Sequence, residues 1–350
     1  PKAAEPEAAG EGESTAPLET VAEREVLDDG GRLRIDPARL RGSLERFADG
    51  AWAPLSEVAE LAPGQRLRAT EPSFASLEHG AYELCLDAGS ELLVLRAQDG
   101  PVLELERGRV LAEVVSLQQH ERFEVRAGPS AFQVLGTVFE VAREGQAADL
   151  GVLEGAVRAS RGAEALVASA GHGVRVADGV TPLDAPQAGA WAKRLRAERR
   201  TSWAVDFEGG AAGWSGEAVS TAGRGGQALA LEASTERAWA RSAAVEHTLT
   251  VSPDLYLQVS VFSEADASVM LRFTNASQDG RPFMATYALH AGQWRTLTVP
   301  FEALSTLYDP GLNPLRTGDR LSRLEVFAGK PGAPAAVLID DLRVYRKHYR

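Results

Sequence analysis

From Trp52 to Asp178, short runs of alternating apolar and polar residues are cut by glycine roughly every eight to twelve positions. This rhythm constrains the fold more than any other feature of the chain. A period of two places successive side chains on opposite faces of an extended segment, so such runs bury one face as strands and offer no apolar stripe to a helix. Tyr82-Glu83-Leu84-Cys85-Leu86 runs into Asp87-Ala88-Gly89-Ser90. Leu103 and Leu105 alternate with Glu104 and Glu106 before Gly108, and Val110, Ala112 and Val114 continue the pattern after it. Phe132, Val134, Phe139 and Val141 flank Gly136-Thr137, and Val152 and Val157 flank Glu154-Gly155. Regular turns between short alternating strands specify a sandwich, a barrel or a stacked-sheet domain.

The rhythm returns from Trp203 to Tyr345, with strands expected at 228–232, 255–262, 269–274, 283–289, 293–300, 321–327 and 336–344. Seven or eight strands in such a length fit a jelly-roll sandwich. The fold class is therefore all-β, two β domains with short helices at about 37–48 and 188–200. The first helix is expected from Asp36 as N-cap, Pro37 at the first helical position, and Leu40, Leu44 and Phe47 on one face. The second is expected from Trp191 and Leu195 four apart. It ends in the basic run 193–200, which suits a helix C-terminus and on a sharper reading meets an anionic partner. The expected domains are an acidic disordered linker at 1–36, a β domain at 37–181, a helical linker at 182–202 and a jelly roll at 203–350.

The net charge is −12, but residues 1–31 hold nine acidic residues against Lys2 and Arg24. This segment lacks aromatics and cannot bury enough apolar area to offset its ordering entropy, so a solvated tether is expected. The rest of the chain carries only −5, from −12 minus −7. The balance argues against a nucleic-acid partner, because phosphate neutralisation needs clustered cations. Cys85 stands alone, which excludes an internal disulfide, and it reads as a small buried apolar residue. The six histidines are never closer than 41 positions, so no local histidine metal motif exists. No run of about 18 apolar residues marks a membrane span.

Enzyme motifs fail on spacing. Gly213-Trp214-Ser215-Gly216 is followed by Glu217 rather than completing a nucleophile elbow, and Gly223-Arg224-Gly225-Gly226 lacks phosphate-loop spacing. Asp340 and Asp341, adjacent on a strand, point to opposite faces and make a poor carboxylate dyad. The expectation is a protein that is not an enzyme.

Several phrases carry a resemblance. Residues 61–70 (LAPGQRLRAT), Leu84–Gly89 with Ser90, Val134-Leu135-Gly136-Thr137-Val138-Phe139-Glu140-Val141, Val152-Leu153-Glu154-Gly155-Ala156-Val157 and Ala170-Gly171 follow one another in the order and spacing of the FecR ectodomain family. The similarity covers about residues 52–178. Physically, Gly136 fits a close-approach position where a Cβ would clash, Thr137 a local backbone partner, and Glu154-Gly155 a turn. The resemblance implies an extracytoplasmic all-β domain, in the periplasm or at the cell surface, of a regulator controlling an extracytoplasmic-function sigma factor. It also implies attachment to the membrane only through an anchor absent from this sequence.

Over about 203–346 a second resemblance appears. Residues 205–214 (VDFEGGAAGW), 226–231 (GQALAL), 292–300 (GQWRTLTVP) and 338–344 (LIDDLRV) are similar to the strands of galactose-binding-like jelly rolls, which include carbohydrate-binding modules. That likeness implies a structural calcium held by Glu208 with Asp340 or Asp341, Asp206 being weaker, since calcium takes oxygen ligands. Alternatively Glu208 caps a turn and the aspartate pair is solvated at a strand end. For a sugar face the available rings are Trp239, Tyr256, Phe283 and Tyr287, with Arg241, Asn275 and Gln278 as polar contacts. Each of these also has a packing or loop explanation, and Trp214 and Trp294 read as core. The combined expectation is a non-enzymatic FecR-type regulator or sensor ectodomain whose jelly roll binds a glycan or an envelope protein. The alternative is a cell-envelope adhesion or scaffold protein that binds polysaccharide without signalling.

Overall fold

A computed structural model of the chain describes residues 31–35, 39–55, 60–78, 81–98, 100–117, 122–134, 136–183, 188–221, 226–236, 238–306, 315–329 and 336–348. Its first half is built around one long strand, Val102–Val114. The N-terminal part of that strand pairs with Glu91–Arg96 and, in parallel, with Phe123–Ala127. Its C-terminal part pairs with Tyr82–Leu86 and Val138–Glu144. The strand thus passes from one β layer to the other. The change comes at Gly108, whose φ is +85° and where a Cβ would stand 2.7 Å from Ser90 Cα. Leu84, Val110, Ala112, Phe139 and Val141 of one layer meet Leu103, Leu105, Phe123, Phe132 and Val157 of the other in a single core.

The second half is an antiparallel sandwich. One sheet runs Glu217–Ser220, Gln227–Ala230, Val337–His348, Leu255–Ser263, Gln293–Pro300, with Glu198–Val205 also paired to Val337–His348. The other runs Glu232–Ala233, Arg241–Thr250, Arg320–Ala328, Ala267–Asn275, Arg281–Leu289, Ser305–Thr306. Leu257, Val259, Val261, Leu297, Val299 and Val344 face Val269, Leu271, Phe273, Ala285 and Val326 across the core. The protein is all-β, as its alternation requires.

Both expected helices are replaced. Leu44–Ala48 is a strand paired with Ala51–Pro54 and Arg66–Ala69. The turn between its hairpin partners is Asp49-Gly50, with φ values of 54° and 80°. Two left-handed residues make the turn that matches strand twist, so this Asp-Gly pair outweighs the spacing of Leu40, Leu44 and Phe47. Residues 36–38, at the expected helix start, lie outside the described residues. The second segment is a series of turns over 188–196 followed by the strand Glu198–Val205. Gly189 takes φ +72°, and Glu140 accepts hydrogen bonds from Gly189 N (2.6 Å) and Trp191 Nε1 (2.8 Å). Tertiary contacts override local propensity here. The expected acidic linker at 1–36 falls mostly outside the described residues, but Leu33–Arg34 pairs with Glu60–Leu61, and Leu33 and Ile35 are buried in the core.

Cys85 is buried as expected, among Phe74, Leu111, Val138 and Ala192. Gly136 also behaves as its setting demands. Its φ is +115°, and a Cβ there would stand 2.7 Å from Ser116 Cα. Gly136→Ala is therefore expected to cost about 1–3 kcal/mol from the left-handed backbone, with the clash added. A urea denaturation midpoint unchanged from wild type would contradict this.

Candidate functional site

The outer face of the Tyr82–Leu86 and Val102–Val114 strands carries Glu83, Cys85, Leu111, Glu113 and Val115, and all are buried. Two different coverings account for this. The 188–196 turns lay Trp191, Ala192 and Leu195 over the apolar part around Cys85. The sandwich covers the rest, packing Tyr256 and Tyr345 on Val115.

Charge holds this seam. Lys347, 2% exposed, places Nζ 2.7 Å from Glu113 Oε1 and 3.1 Å from Glu83 Oε2. Arg199 reaches Glu113 at 2.9 Å and grips both oxygens of Glu154 at 3.0 and 3.1 Å. Arg196 reaches the second oxygen of Glu113 at 3.2 Å. Arg196 and Arg199 of the basic run at 193–200 thus find anionic partners inside the chain. Tyr256 and Tyr345 stack with ring centroids 5.6 Å apart, and Lys347 Nζ lies 4.5 Å from the Tyr256 ring. Backbone bonds complete the seam: Ser116 N donates to Thr298 O at 2.8 Å, and Thr298 N donates to Ser116 Oγ at 2.7 Å. Arg39 donates to Pro253 O and Arg295 to Leu117 O.

Burial alone raises a carboxyl pKa, yet Lys347, Arg199 and Arg196 hold Glu113 far below the ordinary range. For Lys347, burial works against the ammonium and is outweighed by Glu113 and Glu83, so its pKa is raised. Burial lifts the Tyr345 phenol to about 12, against the pull of Lys347 and Arg199.

Beside the seam lies a groove of about 570 Å³ whose walls come from both domains. The first β domain supplies the turn at Leu153, Glu154 and Gly155, with Ala170. The sandwich supplies Asp206, Gln258, Ser260, Thr296, Asp341 and Arg343. Gln258 and Ser260 alternate with the core residues Leu257, Val259 and Val261, so they belong to the sheet's outer face. Ser260 Oγ lies 3.1 Å from Thr296 Oγ1, Gln258 Nε2 donates to Thr298 Oγ1 at 3.4 Å, and Arg343 Nε donates to Gln258 Oε1. One step further along the same pair of strands, Phe262 lies opposite Trp294, with ring centroids 5.6 Å apart. Asp341 has φ 45°, and its N–H donates to Asp340 Oδ1 at 2.7 Å.

These positions change the expected sugar face. Tyr256, Phe283 and Tyr287 are buried at 0–1% exposure, so their rings are spent on packing and present no face to a sugar. Trp239 packs on Phe327 beside Met270 and Met284, over the other sheet. Arg241 begins a strand of that sheet. Asn275 is buried, and with Gln278 it donates to Asp319. Trp294, read as core, is half-buried on the outer face. Its parity with Thr296 and Thr298, opposite to Leu297 and Val299, is the signal that could have placed it. Glu83, Glu113 and Lys347 have no motif and were missed, whereas Arg199 lies in the basic run that the sequence singles out.

Three of the carboxylates expected to hold calcium accept backbone hydrogen bonds. Glu208 accepts from Gln227 N at 3.0 Å, Asp206 from Glu208 N, and Asp340 from Asp341 N. No group of three or more His, Cys, Asp or Glu side chains able to hold a metal occurs among the described residues.

This architecture can be set beside known proteins. Residues 72–158 match the family model "FecR protein", so the chain carries a FecR domain in its first half. No curated protein sequence matches it. Among solved structures it is similar to a Parabacteroides distasonis protein assigned as an anti-sigma factor, at 21% identity and TM-score 0.30, covering 39% of this chain and 66% of that one. A second P. distasonis structure of that description gives 19% identity and TM-score 0.31 over 38% of this chain and 64% of the other, so the chain spans just under two thirds of either. It is also similar to a family 11 carbohydrate-binding module from Clostridium thermocellum in complex with a β-1,3-1,4-mixed-linked tetrasaccharide. There the identity is 14% and the TM-score 0.31, over 45% of this chain and 92% of that one. FecR domains and carbohydrate-binding-module folds are non-catalytic kinds of domain.

The buried charges set a pH window. Below the ordinary glutamate value of 4.5, the unfolded chain takes up protons that folded Glu113 refuses, so stability falls on acidification. Above about pH 10, the unfolded chain releases protons that Tyr345 and Lys347 keep when folded, so stability falls again. Urea midpoints measured from pH 3 to 11 should show both declines. Lys347→Met leaves Glu83 and Glu113 without their central partner and is expected to cost about 3–5 kcal/mol; a loss under ~1 kcal/mol would show that the seam does not need this charge.

Proposed function

We propose that the protein is a non-enzymatic, extracytoplasmic regulator ectodomain of FecR type, membrane-anchored in the full-length protein, whose ligand is a glycan bound in the interdomain groove. The FecR domain at 72–158 supports the regulatory part. The groove carries the binding part: about 570 Å³, walled by both domains, floored by hydrogen-bonding side chains and continued by the Phe262–Trp294 pair. Hydroxyl and amide groups fix sugar hydroxyls, and an aromatic edge packs on the apolar faces of the ring. Among the described residues no helix is long and apolar enough to cross a membrane, so anchoring would come from outside them. The two-domain wall favours a sensor over a simple adhesion module, because a ligand there contacts both halves.

A glycan array followed by titration calorimetry tests the binding. Trp294→Ala is expected to weaken oligosaccharide binding about tenfold, while Trp239→Ala, over the opposite sheet, leaves it unchanged. Equal loss in both, or a wild-type protein that binds no glycan, would overturn the groove as a sugar site. For regulation, deletion of the gene in its host should change transcription from a sigma-dependent reporter, and fractionation should recover the full-length protein with the membrane.

A further inference from the structure

The groove has an inner end. A pocket of about 20 Å³ is lined by Thr137 and Gly136 of the FecR domain, by Glu113 and Arg199 of the seam, and by Glu154, Gly155, Gln258 and Thr296, which also line the groove. A space near 10–15 Å³ holds one water-sized group, so this pocket admits one hydroxyl and no sugar ring. Thr137 is 3% exposed. Its backbone is paired with Val114 in both directions, at 2.8 and 3.0 Å. Its Oγ1 finds no hydrogen-bond partner in the protein, contrary to the expectation of a local backbone partner. A buried hydroxyl without a partner is costly, and this one lines a small pocket that shares Glu154, Gly155, Gln258 and Thr296 with the groove.

The charge of the walls selects among ligands. Glu154, Asp206 and Asp341 face the groove against Arg343. Arg343 is already committed to Gln258, and Arg199, behind Glu154, to Glu154 and Glu113. An anionic ligand would be desolvated beside like charge, which disfavours it.

We infer that the FecR domain itself reads the ligand: Thr137 Oγ1 hydrogen-bonds a hydroxyl that projects into the inner pocket from an uncharged sugar chain lying in the groove. This rests on the groove being the glycan site. It adds that the Thr of the Val-Leu-Gly-Thr phrase is a binding residue and that uronic-acid chains are excluded.

The test uses Thr137→Val, which keeps the shape and removes the hydroxyl, and Thr137→Ser, which keeps the hydroxyl. Binding is measured by calorimetry with neutral oligosaccharides of glucose, xylose and galactose and with oligogalacturonate. Wild type should bind at least one neutral series and bind oligogalacturonate more weakly. Thr137→Val should weaken the neutral ligand about five- to tenfold, with a urea midpoint equal to or above wild type, and Thr137→Ser should retain binding. A structural role predicts the reverse, a lower midpoint with binding unchanged. Unchanged binding by Thr137→Val, or tighter binding of oligogalacturonate, overturns this inference and leaves the groove reading standing. Failure of wild type to bind any of the glycans overturns both.

Discussion

The ion-pair knot between the two β domains centres on Glu113. Its carboxylate takes Lys347 from the last strand of the sandwich, Arg199 from the strand Glu198–Val205 and Arg196 from the turns before it. With Glu83 and Glu154 added, three carboxylates meet three cations, so the knot is neutral in sum. Buried ion pairs contribute little net stability once desolvation is counted, but each wrong arrangement leaves a charge unpaired in a dry place. Apolar contacts such as Val115 on Tyr256 tolerate sliding. The salt links do not, so they fix the angle between domains that the surrounding apolar surface alone would leave soft.

Two of the phrases that carry the FecR resemblance, at Gly136-Thr137 and Glu154-Gly155, build this junction. Gly136 has no Cβ, so the 115–117 segment can press against it, and that segment gives Ser116 to Thr298 across the seam. Gly155 has φ +79°, and a Cβ there would stand 2.7 Å from Thr137 Cγ2 and 2.8 Å from Gly136 O. The two glycines therefore pack the Glu154-Gly155 turn onto Gly136-Thr137 and hold Glu154 where Arg199 can grip it. Residues that look like interior fold-makers are, in space, the rim of a contact with another domain.

How much of this could be read in advance follows from what periodicity reports. Alternation places Leu84, Val110 and Val141 in a core correctly, because strand parity is local. It assigns Glu83 and Glu113 to solvent by the same logic, and this fails because a second domain covers that face. Nothing within the strand marks which outward face meets a neighbour. Lys347, near the C-terminus, has no pattern at all until the chain folds back on Glu113. The 188–200 segment looks helical because its spacing and composition suit a helix, while the contacts that decide its shape, Glu140 with Gly189 and Trp191, lie about fifty residues away in sequence. Trp294 and Asp49-Gly50 are different cases: parity in one and hairpin turn chemistry in the other were present in the sequence and were outvoted by a motif and by apolar spacing.

Glu154 belongs to both the knot and the groove, and this ties ligand occupancy to domain docking. The groove exists as a two-walled site only while the 153–155 turn and the 198–205, 255–263 and 337–348 strands keep their present separation, and Arg199 between Glu113 and Glu154 sets that separation. A ligand touching both walls binds the docked arrangement and not an undocked one, so by linkage it must stabilise the seam by its own differential binding energy. The converse also holds. Any change that loosens Glu113 lowers the population of the docked arrangement and reduces apparent affinity by the same factor, even when every groove residue is intact. For a ligand that occupies the groove, binding and interdomain geometry would be one equilibrium, because Glu154 serves both the groove and the knot.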